Sequence, residues 1–232
     1  MNSFRTLLLL AKYNLRIVFG GKYLIFILIS LLFFCYFMFI SAYSGSQLSE
    51  ETVYNQIIFP ALLLIFYPTV YGLQKDEESK ILEILFSIPN YMYKVWLLRL
   101  AFVFLECFTT LILFSCFAHL LLCPIEIFKM AWQVMFVVFF SGSLAFYLST
   151  AIKGGNGTAV AFIFIMAILM IIGSSFDTSM WNILINPFKE ENYIHPAVWE
   201  ATLTNNRLLL TISSFGLLTL SLGNLQKREK LL

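Results

Sequence analysis

Residues 74–99 read QKDEESKILEILFSIPNYMYKVWLLR, the one long charged segment lying between long apolar runs. Lys75, Asp76, Glu77, Glu78, Lys80 and Glu83 crowd its first half, and an apolar stretch then runs to Pro89. At about 100° per residue, Ile81, Ile84, Leu85 and Ile88 share one side of a helix, with Leu82 at its edge. Asp76, Lys80 and Glu83 gather on the other side. The spacing predicts a short amphipathic helix over 75–89. Asp76 stands four residues ahead of Lys80, the favourable order for a helical ion pair. Pro89 closes the helix, because the residue before a proline is steered away from helical geometry. Such a helix between two membrane spans suits the transmission of force or the docking of a partner. An ordinary solvated loop helix fits the same periodicity.

The rest of the chain explains why spans are expected on either side. Of 232 residues, 60% are hydrophobic and only 12% are charged, about half the charged share of a soluble domain. This composition predicts a polytopic membrane protein, all-α, in a single transmembrane domain over 1–232. Spans are expected at 23–43, 53–73, 95–120, 130–151, 159–175 and 208–225. The first carries no charge. The second contains Pro60 and Pro68, which should kink or locally unwind it. Such a helix suits the lining of a path, and a packing kink fits equally. Ahead of the spans, Arg5, Lys12 and Arg16 form one stripe on a helix over 3–19, the pattern of an interfacial helix with its basic side toward anionic head groups.

Charge then sets the orientation. With both termini in the cytoplasm, twelve basic residues lie inside: Arg5, Lys12, Arg16, Lys22, Lys75, Lys80, Lys94, Arg99, Lys153, Lys227, Arg228 and Lys230. Lys129, Lys189 and Arg207 lie outside. This bias supports six spans in a bacterial cytoplasmic membrane and places residues 75–94 in the cytoplasm. Residues 176–207 become an extracytoplasmic segment. Its apolar stretches around Trp181 and Trp199, broken near Pro187 and Pro196, predict two short helices, re-entrant or packed on the bundle surface.

Little here carries chemistry. The glycines of the run from Lys153 to Thr158 follow their lysine, so the run is a tight turn and not a phosphate cradle. Cys35, Cys107, Cys116 and Cys123 lack metal-ligand spacing and read as buried apolar fillers. Glu106, near the middle of the third span, is the one carboxylate expected inside a span. It is a candidate for the substrate pathway, or else a neutral acid bonded to Thr109, Thr110 or a neighbouring helix. His119 and His195 have no partner that suggests a metal or a nucleophile. No catalytic residue, metal, bound cofactor or nucleic-acid partner is expected.

Taken together, these features resemble the permease subunit of ATP-binding cassette transporters of the type-2 exporter class. The resemblance covers essentially the whole chain. Its most specific part is the run from Glu78 to Pro89, ESKILEILFSIP, which is similar to the loose signature E-x-x-G-T-L-E-L-L-x-x-x-P. Leu82, Glu83, Leu85 and Pro89 are in register, while Lys80 stands in place of glycine and Ile81 in place of threonine. The resemblance implies that 75–89 is a coupling helix. Glu78, Lys80, Leu82, Glu83 and Pro89 would then engage a dimer of cytoplasmic ATPase subunits that carry the ATP and magnesium. It also implies a second permease chain, identical or a sibling, that completes the path. A non-transporting membrane protein, such as an immunity or assembly factor resembling a permease, is the alternative.

Overall fold

The computed structural model describes residues 23–43, 49–78, 92–152, 154–176, 178–189 and 194–229. The expected interfacial helix at 3–19 lies outside these residues, as do positions 79–91 of the expected coupling helix. The described chain is helical, with no strand among the described residues. Its elements are α1 (Tyr23–Tyr43), α2 (Glu50–Val70), the short α3 (Gly72–Glu78), a π-helical turn (Met92–Leu97) leading into α4 (Leu98–Leu121), α5 (Ile127–Ala151), α6 (Gly155–Ser175) and α7 (Pro196–Glu229). Six of these stretches are long and apolar enough to cross a membrane. This is the make-up of a multi-pass membrane protein, in which helices alone satisfy the backbone without water.

Burial sorts the spans into centre and rim. In α5, 61% of the most apolar window is buried, and in α2 50%, against 22% in α1 and α7. α5 packs on α2, α4, α6 and α7, while α2 packs on α1, α4, α5 and α6. Small residues make α5 the hub. Ser141, Gly142, Ser143, Ala145 and Ser149 are all buried, and small side chains let helix backbones approach closely in a membrane. A Cβ added at Gly142 would fall 2.6 Å from Ile65 Cγ1 and 2.8 Å from Phe104 Cε1. α2 and α4 are therefore both pressed against the same point of α5. On the far side of α2, Phe34 of α1 stacks on Phe114 of α4 with ring centroids 4.4 Å apart.

The span boundaries differ from expectation at their ends. α1 occupies the expected 23–43, because an uncharged apolar run ends at a polar turn. α2, α5 and α6 each begin about one turn early. At α2, the Ser49 hydroxyl accepts the Thr52 N–H (3.3 Å), with Glu50 and Glu51 in the first turn, so polar capping residues extend the helix beyond its apolar part. Neither Pro60 nor Pro68 unwinds α2, which is continuous from Glu50 to Val70. The buried Ser30 hydroxyl donates to Pro60 O (2.8 Å), and Thr69 Oγ1 donates to Ile65 O (2.6 Å). The bend comes after both prolines, at Tyr71, between α2 and α3.

The largest correction concerns 176–207. Two short helices were expected. Instead, a chain of turns runs to Lys189, and α7 begins at Pro196, twelve residues before the expected sixth span. Pro196 opens the helix, where its missing N–H costs nothing. His195 O accepts from Val198 and Trp199, and His195 Nδ1 accepts from Ala197 N–H (3.3 Å). The turns persist because Ser179, Asn182 and Asn186 hold them. Asn182 Oδ1 accepts from Leu184 N–H, and Asn186 Oδ1 from Phe188 N–H, which are local bonds that compete with helix.

Gly142→Val tests the hub. Overpacking at this contact is expected to cost about 1–3 kcal/mol, read as a lower unfolding temperature in detergent. Gly216→Ala is the control, because an added Cβ there meets nothing within 4 Å, and its unfolding temperature should not fall.

Candidate functional site

Polar side chains are buried at both ends of the bundle, and each cluster ties chain segments that would otherwise move separately. At one end is an ion pair. Arg99 Nη1 lies 2.6 Å from Asp76 Oδ2, and both residues are buried. The Arg99 guanidinium lies over the Trp96 ring, 5.3 Å from its centroid. Trp96 packs with Leu73, Leu100, Phe146 and Leu225, which excludes water from the pair. Nearby, Gly154 adopts φ +107° and opens the turn into α6, as its sequence position suggests. A Cβ on Gly155 would fall 1.8 Å from Gln74 Oε1, so the same turn lies directly against the end of α2 and the start of α3.

This pair corrects the placement of Asp76. Periodicity put it on a solvated face with Lys80 and Glu83. In the structure it faces inward, where it pairs with Arg99 of α4. The expected pair with Lys80 falls on a residue outside the described ones, as do the positions of Leu82, Glu83 and Pro89. Glu78 is the last residue of α3. Asp76 and Arg99 thus join α3 to α4 on either side of 79–91. A buried pair of this kind is costly to break from one side, by about 3–5 kcal/mol.

At the other end, the turns over 178–189 form a cap. Asn206 Nδ2 donates to Met180 O (2.8 Å) and Asn182 O (2.9 Å). Asn186 Nδ2 donates to Glu51 O (2.9 Å) and Asn55 Oδ1 (3.1 Å). Tyr54 donates its hydroxyl hydrogen to Ile185 O (3.3 Å). Arg207 joins these groups, with Nε donating to Gln133 Oε1 (2.9 Å), Nη1 to Asn206 Oδ1 (3.0 Å) and Nη2 to Ile185 O (3.4 Å) and the Tyr54 hydroxyl (3.5 Å). The cap is therefore bonded to α2 and α7, and α7 is bonded to α5 through Gln133.

Sequence reasoning missed this cluster. It counted Arg207 as a loop charge and gave no role to Tyr54, Gln133, Asn182, Asn186 or Asn206. The available signal was the recurrence of asparagine at the edges of apolar runs, where a carboxamide can serve two backbone groups at once.

The expected pathway residues lie on two neighbouring helices. Glu106 is half-buried on α4, and Thr110 Oγ1 donates to its Oε1 (3.1 Å). Thr109 Oγ1 donates to the Glu106 carbonyl instead (2.8 Å). Pro60 is buried within α2 and Pro68 is half-buried one turn from its end. His119 Nδ1 accepts from Ile125 N–H (3.1 Å), which fixes the α4–α5 turn. All four cysteines are free thiols, but only Cys107 is buried as expected; Cys116 and Cys123 are half-buried, and Cys35 is exposed on the apolar rim. Burial, with the nearby Glu50 carboxylate, pushes the Cys123 thiol upward, away from reactivity. Comparison of the chain with protein-family models, curated proteins and solved structures returned no match.

Asn206→Leu should release the cap. In a background without the four native cysteines, Ile183→Cys places a thiol at a buried position (4% exposed). Its labelling by a water-soluble maleimide should rise severalfold on adding Asn206→Leu. Unchanged labelling would mean that the cap is held by its other bonds.

Proposed function

We propose that this chain is the permease subunit of an ATP-binding cassette exporter, powered by separate cytoplasmic ATPase subunits and paired with a second permease chain. The observation that carries this reading is the buried Asp76–Arg99 pair, which joins α3 to α4 on either side of 79–91. Any partner that grips residues 79–91 pulls on α3 and α4 together, and neither end can yield alone. The signature-like run from Glu78 to Pro89 supplies the surface for such a grip. Lys80 and Glu83 would face the ATPase, and Ile81, Ile84, Leu85 and Ile88 would pack on the bundle.

α2 gives the pull somewhere to go. Its 21 residues span about 32 Å, from the ion pair at one end to the cap at the other. Tyr54 and Asn186 bond the cap to its far end. A small displacement at the charged segment can therefore tilt α2 against the α5 hub and reposition the cap. For ATP to drive this cycle, the ATP-bound partner must favour one arrangement of the bundle over the other. The orientation follows from the basic residues, which put the charged segment in the cytoplasm of a bacterial cell and the cap outside.

Two measurements test the proposal. The chain should co-purify with a P-loop ATPase from its native membrane, and solitary purification would favour a non-transporting factor. With the ATPase bound, Glu83→Lys should lower transport-coupled ATP hydrolysis at least severalfold while membrane insertion stays intact. Asp76→Arg should do the same, and the double variant Asp76→Arg/Arg99→Asp should recover part of the loss. Hydrolysis that ignores all three changes would overturn the coupling role.

A further inference from the structure

A cavity of about 480 Å³ opens between α5 and α7 beside the cap, within the size range of small-molecule sites, about 300–1,000 Å³. Its polar mouth is formed by Gln133, Arg207, Lys129 and Glu200. Trp132, Phe136 and Thr211 line it as well, and the same three residues line a second cavity of about 290 Å³ that continues along Phe139 and Phe215. On α7, Arg207, Thr211 and Phe215 follow at four-residue steps along one face, covering about 12 Å. The two cavities thus make one groove, polar at the head and aromatic along the tail. Ile212 and Phe215 beside it are exposed, so the groove opens on the apolar flank of the protein.

The head carries a charge that no described residue neutralises. Arg207 is 8% exposed, and its guanidinium donates to two carboxamides, a backbone carbonyl and a phenol. Each acceptor is neutral. Its face lies against the Phe136 ring, 5.5 Å from the centroid. Among the described residues it pairs with no carboxylate. Lys129 at the mouth sits 3.7 Å from Glu126, and Glu200 lines the rim without bonding Arg207. A cation buried at the edge of an apolar slab is stabilised strongly by an anion brought to it, and the one guanidinium N–H outside these four bonds, on Nη1, can donate to a phosphate oxygen.

We propose that this groove binds one membrane lipid with an anionic phosphate head group. The phosphate sits at Arg207, and an acyl chain lies along Phe136, Phe139 and Phe215. The assignment does not depend on transport. Such a lipid would fill the space between hub and rim helix and neutralise Arg207 where the cap is anchored.

The test uses the purified, delipidated full chain in detergent, with bound lipid counted by native mass spectrometry. One phosphatidylglycerol per chain should be retained, whereas phosphatidylcholine and diacylglycerol should bind more weakly, by roughly tenfold for the loss of a charge-assisted contact. Arg207→Gln should weaken phosphatidylglycerol by a similar factor. Because Arg207 also anchors the cap, Thr211→Trp is the second variant. It blocks the junction of head and tail without removing any acceptor of the guanidinium, and it should abolish retention. Equal retention of diacylglycerol would reveal an apolar crevice without a head-group site. Equal retention of phosphatidylcholine would remove the demand for net negative charge. Displacement by inorganic phosphate alone would reassign the site to free anions, and retention unchanged in both variants would overturn the proposal.

Discussion

The contact at Gly142 is the constraint around which the bundle is built. Two side chains from different helices, Ile65 and Phe104, occupy the space where a side chain of α5 would otherwise stand. In hydrocarbon no hydrophobic force draws helices together, so close packing of this kind has to supply the attraction. It places α2 and α4 on the same point of α5, leaves α6 and α7 to pack around the hub, and confines α1 to the outer side of α2. The rim helices then carry most of the exposed apolar surface, including Leu28, Leu32 and Phe39 on α1 and Ile163, Phe164 and Ile171 on α6.

Once the hub is set, polar groups decide what the bundle joins. Within the apolar layer most side-chain bonds are short-range, such as the hydroxyls of Thr69, Ser214 and Ser221 returning to their own helices. Bonds over long sequence distance concentrate at the ends. Asp76 reaches Arg99, and Asn186 and Tyr54 connect segments more than a hundred residues apart. The polar ends therefore fix connectivity while the apolar middle allows helices to lean.

The six spans were legible because hydropathy reports what lipid demands, and α1 shows this best with a charge-free run and polar borders. Helix ends were less legible, since capping and polar first turns continue a helix into water where hydropathy has no opinion. α7 is the extreme case: Glu200, Thr202, Asn205 and Asn206 look like loop, yet they extend a helix started by Pro196. The cap was misread for the opposite reason. Its apolar residues suggested helix, but Asn182 and Asn186 bond their own backbone and keep it in turns. Asp76 was misplaced because periodicity was read over 75–89 alone, while its partner Arg99 lies beyond that stretch. Arg207 could be seen as a charge in the sequence, but its burial depended on a partner set drawn from α2, α5 and the cap.

The length of α7 has a mechanical meaning. Its 34 residues make about 51 Å of helix, far more than the roughly 30 Å of a hydrocarbon core. Arg207 and residue 227, a lysine, lie twenty positions apart, so they mark off about 30 Å. Arg207 is bonded to α2, α5 and the cap, so α7 is held against sliding at that level. Behind it the helix is still long enough to cross a hydrocarbon core, and the eleven residues ahead of it project past the anchor as an arm.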